Sequence, residues 1–295
     1  MTARRPSLDD LRRDIDEIDS AIHDLLMKRA EIGRQIGEAK GAGVPVFRPG
    51  REAQVLRRLL ARHRGPLPAR VVMRIWREIV SAFAAMQGPL SVAVHSPEQG
   101  DDLAALAREH FGSGAPLRGF AMASSVVRAV MEGETTLGVL PLPHVGESDC
   151  WWRALGPDAK ARPRIVARLP FVPSVKTGGS AQALVVGLMP PEPSGDDRGY
   201  VIVETVATLS RGGLRDRLEQ VGFEILDSSV STEGEEPRLH LIEVEGYLTE
   251  DDARLAGLKS DEDGPIGQAW SAGGYARPLA AALFESDAAE AKDAS

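Results

Sequence analysis

Cysteine is almost missing from this chain of 295 residues: Cys150 stands alone. An intrachain disulfide is excluded, and so is a cysteine-rich zinc site. A reducing, cytoplasmic setting is therefore expected. Long apolar runs are missing too. Residues 1–20, MTARRPSLDDLRRDIDEIDS, hold no apolar core of the signal-peptide kind, and no stretch approaches membrane-spanning length. A soluble chain that stays where it is made, with no membrane partner, is the expectation. The glycine-rich snippets at 112–114 and 178–180 lack phosphate-loop spacing and read as turns. An excess of positive charge is also lacking. The net charge of -8 argues against a nucleic-acid partner.

What is present suits a folded protein of two or three domains. Hydrophobic residues make up 43% and charged residues 26%. The charge is unevenly spread. Residues 1–88 carry 17 Lys and Arg against 11 Asp and Glu, a net +6, while the remainder nets -14. A basic first segment on an acidic chain points either to a local anion site or to a solvated helix surface.

That first segment opens with a long helix. Ser7 can cap it, and Asp9 and Asp10 suit the positive end of its dipole. Apolar residues recur at Leu8, Leu11, Ile15, Ile18, Ile22 and Leu25, alternating steps of three and four as in a heptad seam. Continued, the seam falls on positions 29, 32, 36 and 39. Ile32, Ile36 and Ala39 obey, and Arg29 does not. A guanidinium on an apolar seam must pair internally, snorkel to water, or bind an anion. The helix is predicted to end at Lys40, before Gly41-Ala42-Gly43 and Pro45. Its length is then about 50 Å at 1.5 Å per residue. Two shorter helices follow, near 51–62 and 67–86, and they cannot cover it alone. An intertwined dimer is expected. Lys40 lies three turns after Arg29 on the same face. Arg12 lies about 25 Å before Arg29, so it can meet Arg29 only from a partner subunit.

LRRDIDEIDSAIHDLLMKRAEIGRQIGEAK, then Arg51-Glu52, then IWREIVSAFAAMQ resemble the all-helical class of chorismate mutase over residues 7–88. The resemblance implies a homodimer of three-helix subunits that converts chorismate to prephenate without a cofactor or metal. It implies that Arg12 crosses into the partner's site and that Arg29 binds a carboxylate. Lys40 would stand near the ether oxygen and a carboxylate, and Gln87 would donate to that oxygen. Arg51 would lie at the site's edge, and Glu52 would contact the substrate hydroxyl. Two positions depart from the family pattern. Arg48 stands where relatives often carry an acid, and Phe83 where some carry a serine contact, with Ser81 nearby as the substitute. The residue types suit the chemistry. Fixed arginines hold a dianion in a compact conformer, and Lys40 and Gln87 stabilise charge growing on the ether oxygen.

After Gly88-Pro89 the pattern alternates between strands and helices. Strands are predicted at 91–96, 135–143, 164–172 and 183–189, and helices at 101–112 and 124–133. The order resembles a prephenate dehydratase module over 90–190 with eroded motifs. Pro97-Glu98 survives without its Gly-Thr-Phe-Ser stretch, Leu142-Pro143-His144 replaces the expected Glu and Asn, and Gly179-Ser180-Ala181 replaces Thr-Arg-Phe. His144 reads as a loop residue, and Trp151-Trp152 as packing against the helical module. Residues 198–280 follow a βαββαβ order that resembles an ACT regulatory domain. Arg211-Gly212-Gly213-Leu214 and Asp227-Ser228-Ser229-Val230 stand where its amino-acid-binding motifs belong. Residues 285–295 read as a disordered tail. The whole is expected to be multi-domain, an all-α mutase domain followed by α/β and α+β modules. A bifunctional mutase/dehydratase, a catalytically silent binder of aromatic metabolites and an isochorismate pyruvate lyase are the alternatives.

Overall fold

The computed structural model describes residues 6–40, 45–98, 102–144, 149–157, 162–173, 181–206, 209–231, 237–259 and 264–284, and of Lys40 only the backbone. Helix α1 runs Leu8–Lys40, α2 Pro49–Arg62 and α3 Ala69–Gln87. Ser7 caps α1 as expected. Its hydroxyl accepts from the Asp10 amide at 3.2 Å, and Asp10 returns a bond from the Ser7 amide at 3.1 Å. The Gly41–Gly43 stretch expected to stop α1 lies outside the described residues. So do Gly178–Ser180 and the tail 285–295.

An α/β body follows. Its elements are β1 Val92–His95, α4 Leu103–Phe111, β2 Leu117–Phe120, α5 Ala123–Met131, β3 Leu137–Pro141, β4 Arg164–Leu169 and β5 Ala183–Gly187. Then come β6 Asp197–Thr205, α6 Arg211–Gln220, β7 Ile225–Val230, β8 Arg238–Glu245, α7 Ala253–Leu258 and β9 Ile266–Ala276. The chain thus pairs an all-α segment with α/β and α+β parts, the last in βαββαβ order. Strand β2 is an addition to the predicted set.

Among the described residues all nine strands form one sheet, in the order β2-β1-β3-β5-β4-β9-β6-β8-β7. The two halves meet where β4 runs parallel to β9, at Ile165 opposite Gly273. Gly273 has φ +107, and a Cβ there would lie 2.2 Å from the Ile165 carbonyl oxygen. Glycine is what lets the strands close at this seam. A buried network fixes the same junction. The Glu243 carboxylate accepts from Tyr275, from Tyr200 at 3.3 Å, from Arg168 at 3.2 Å and from Arg198 at 3.3 Å.

The helices are not a free appendage. Ala53, Leu56, Ala69 and Met73 of α2 and α3 share one core cluster with Phe171, Ala276, Leu279 and Phe284 of the body. The Arg57 guanidinium donates to Ser194 Oγ at 2.9 Å and to the carbonyls of Asp196 and Arg277 at 2.8 and 2.9 Å. Trp151 and Trp152, in a 3₁₀ turn, pack against α5 and the sheet rather than against the helical segment. The turn follows β3 and lies over α5, so the sheet face is the apolar surface within its reach.

Candidate active site

Helices α1 and α3 run parallel and touch along one seam. Arg29 lies with its guanidinium carbon 4.3 Å from the centre of the Phe83 ring, a cation–π contact. One turn further along both helices, Gln87 crosses Gly33 and Gly37. A Cβ at Gly37 would stand 3.4 Å from Gln87 Cγ, and one at Gly33 would stand 4.0 Å from Gln87 Nε2. The missing side chains on α1 are what admit the Gln87 amide to this surface.

Neither candidate group is committed to another described side chain by an ion pair or hydrogen bond. Arg29 forms no ion pair, and the Gln87 amide no hydrogen bond, with any described residue. Of the readings open for a guanidinium on the seam, the internal salt bridge is therefore absent among the described residues. Partial desolvation beside α3 lowers the Arg29 pKa from its ordinary value, and an arginine remains cationic nonetheless. The backbone of Lys40 lies three residues beyond Gly37 on α1, near the level of Gln87. The arrangement is a cation and an amide donor on adjacent rungs of a helix pair, open to one side. It can hold a small anion and donate to an oxygen on it.

The other candidates are placed elsewhere. Arg12 is exposed near the start of α1 and pairs with Asp9 at 3.3 Å. Arg48 pairs with Glu192 of the segment before β6. Arg51 is exposed and reaches Gln54 at 3.4 Å. Ser81 donates to the Phe111 carbonyl at the end of α4. Two positions along a helix turn a side chain by about 200°, so Ser81 and Phe83 face opposite neighbours. Glu52 is largely enclosed and accepts from the buried Arg77 at 3.0 Å. Burial pushes Glu52 up from its ordinary carboxylate value, against the opposing pull of Arg77, and lowers Arg77. Both groups move toward their neutral forms, so desolvation outweighs their attraction. The structure thus brings together Arg29 and Gln87, with the Lys40 backbone nearby. Within one chain it does not bring Arg12, Arg48, Ser81 or Glu52 to them.

Arg77 and Phe83 escaped the reading of the sequence as site neighbours. Phe83 was visible only as a departure from a pattern. Arg77 follows Met73 by one turn on the apolar stripe of α3, the same signal that singled out Arg29. In the βαββαβ half, Asp227, Ser228 and Ser229 line a cavity of about 50 Å³ beside Glu243. That is far below the few hundred Å³ of a small-molecule pocket. Among the described residues no cluster of His, Cys, Asp or Glu could hold a metal, and no helix is long and apolar enough to cross a membrane.

Residues 11–88 match the family described as Chorismate mutase type II. The match spans helices α1 to α3. The chain is 35% identical over 143 residues to a bifunctional chorismate mutase/prephenate dehydratase of Stutzerimonas stutzeri, covering 46% of this chain and 39% of that protein. It is 44% identical over 104 residues to the protein of the same name from Neisseria gonorrhoeae, covering 35% and 28%. The chain thus spans well under half the length of these relatives. Among solved structures, a prephenate dehydratase from Streptococcus mutans superposes with a TM-score of 0.44 at 16% identity, over 64% of this chain and 100% of that one.

Proposed function

We propose that this chain is a chorismate mutase, rearranging chorismate to prephenate in the biosynthesis of phenylalanine and tyrosine, in the cytoplasm. The observation that carries the reading is Arg29 beside the Gln87 amide, neither engaged by another described polar group, inside the segment that matches the mutase family. The reaction exchanges a C–O bond for a C–C bond within one molecule. It needs no nucleophile, no proton transfer and no cofactor. Arg29 anchors a substrate carboxylate and holds the dianion in its folded conformer. Gln87 and Lys40 meet the negative charge that grows on the ether oxygen as the C–O bond breaks. Arg51, Glu52, Arg48 and Ser81 remain proposed substrate contacts whose side chains would have to turn from their present partners.

A homodimer with shared sites belongs to the proposal. Leu8, Leu11, Ile15, Ile18, Ile22 and Leu25 of α1 are each 45–67% exposed in the single chain. Covering a Leu or Ile fully is worth about 1.5–3 kcal/mol, so a second α1 laid on this seam would be strongly favoured. It would also carry the partner's Arg12 to Arg29. Two measurements test the reading. Purified protein should consume chorismate, read as loss of its absorbance. Mixing Arg12→Ala with Arg29→Ala subunits should restore about one intact site per heterodimer, and failure to complement would refute a site shared between chains.

The names of the relatives favour a second reading, a bifunctional mutase/dehydratase. The eroded segments at 97–98, 142–144 and 179–181 weigh against it. Prephenate offered to the full chain should yield no phenylpyruvate. The same assay with isochorismate, read for salicylate, separates the lyase.

A further inference from the structure

A second opening lies on the flank of α3 turned away from Phe83 and Gln87. Between α3 and α4 runs a groove of about 960 Å³, within the size range of small-molecule sites. Val71, Ile75, Leu106, Phe171 and Val172 give it apolar walls. Arg70, Arg74 and Arg77 from α3 and Arg108 from α4 face it, against the carboxylates of Glu78 and Glu109.

These cations differ in how they are engaged. Arg77 is held by Glu52 at 3.0 Å. Arg70 donates to the Pro173 carbonyl and lies over the Phe284 ring. Arg74 and Arg108, on opposite walls, are exposed and form no ion pair or side-chain hydrogen bond with a described residue. At the inner end His110 is 9% exposed, and its Nε2 has no hydrogen-bond partner. A buried polar atom left without a partner is destabilising, and a ligand carrying a carbonyl or hydroxyl would relieve that cost. The walls ask for an apolar body, the two free guanidinia for an anionic head, and His110 for a polar group between them.

We propose that the α3–α4 groove binds a small carboxylic acid with a ring and a keto or hydroxyl group, its carboxylate held between Arg74 and Arg108. The site is separate from the Arg29–Gln87 seam. It is also larger than the cavity beside Glu243, which is too small for such a molecule.

Calorimetric titration of the full chain with phenylpyruvate tests this. Saturable binding of one molecule per chain is expected, with weaker binding of phenylacetate, which lacks the keto group. In the double variant Arg74→Ala/Arg108→Ala, affinity should fall at least tenfold. Both side chains are exposed and pair with no described residue, so its melting temperature should stay unchanged. Arg29→Ala should leave the affinity within twofold, because that residue lies on the far side of α3. The proposal is overturned if no saturable binding occurs by millimolar concentrations, or if acetate or sulfate displaces the probe equally well. Unchanged affinity in the folded double variant, or loss of binding on Arg29→Ala, overturns it as well.

Discussion

Replacing Arg29 with alanine should separate stability from turnover, because the two effects have different sizes in this structure. Arg29 forms no ion pair with a described residue and stacks on Phe83 at 4.3 Å. A cation–π contact at so exposed a place is worth about 0.5–1 kcal/mol. Arginine and alanine differ little in helix preference. The folded state should therefore lose at most about 1 kcal/mol. The barrier should suffer more. Arg29 anchors a substrate carboxylate and holds the folded conformer, and losing that positioning costs about a hundredfold or more in rate. The expected outcome is a denaturant midpoint close to that of the parent chain, with chorismate consumption at a hundredth or less. Arg29→Lys keeps the charge but loses the planar fork and should fall between them. A folded Arg29→Ala chain that keeps more than about a tenth of the parent rate would show that the α1–α3 seam is not where the chemistry happens.

Other perturbations follow from the same contacts. Glu52→Gln leaves the Arg77 charge buried and unpaired and should cost about 3–5 kcal/mol, while Glu52→Gln with Arg77→Met should recover most of it. Urea midpoints of the two variants check this. Burial first, then Arg211 and Arg238, hold His240 down at about 4, from an ordinary 6.5. The unfolded chain therefore takes up the proton first as pH falls. Stability should be full above about pH 6.5 and decline toward pH 4, by up to ~3 kcal/mol at 1.36 kcal/mol per pKa unit. His110, held well below its ordinary value by burial and by Arg77, acts in the same direction. Urea unfolding at pH 7 and pH 4.5 should show a smaller difference in His240→Gln. Gly37→Ala meets Gln87 only at ordinary contact distance and should raise the melting temperature, since alanine is favoured over glycine in a helix by about 1 kcal/mol. Gly37→Leu should push α1 off Gln87 and abolish turnover, read by the chorismate assay.

Local pattern carried far in this chain. Ser7 and the heptad spacing located α1 from Leu8 to Lys40, and an arginine on that spacing marked Arg29. The same logic applied to α3 would have marked Arg77. It did not, because the surface that buries Arg77 belongs to α2, α4 and the segment after β4, far away in sequence. Strand β2 was hidden for another reason. Leu117–Phe120 is an edge strand whose middle residues, Arg118 and Gly119, are exposed, so it carries no apolar alternation. The union of the two half-sheets was equally illegible. It rests on one parallel pairing between residues more than a hundred positions apart, and on a glycine whose role appears only once Ile165 lies against it.

The placement of α3 has a consequence for how the mutase chemistry should be measured. Met73 is 0% and Leu56 1% exposed, and both pack with Phe171, Leu279 and Phe284 of the body. A fragment of residues 1–90 would bare these side chains, together with the Arg77–Glu52 pair and the flank that α4 covers. Uncovering a buried Leu or Met costs about 1.5–3 kcal/mol each, a large share of a small domain's 5–15 kcal/mol. The fragment should therefore melt well below the full chain, and its inactivity would not count against the seam. Arg29→Ala in the full chain discriminates better, because it touches only the α1 side of α3 and leaves the body-facing side intact.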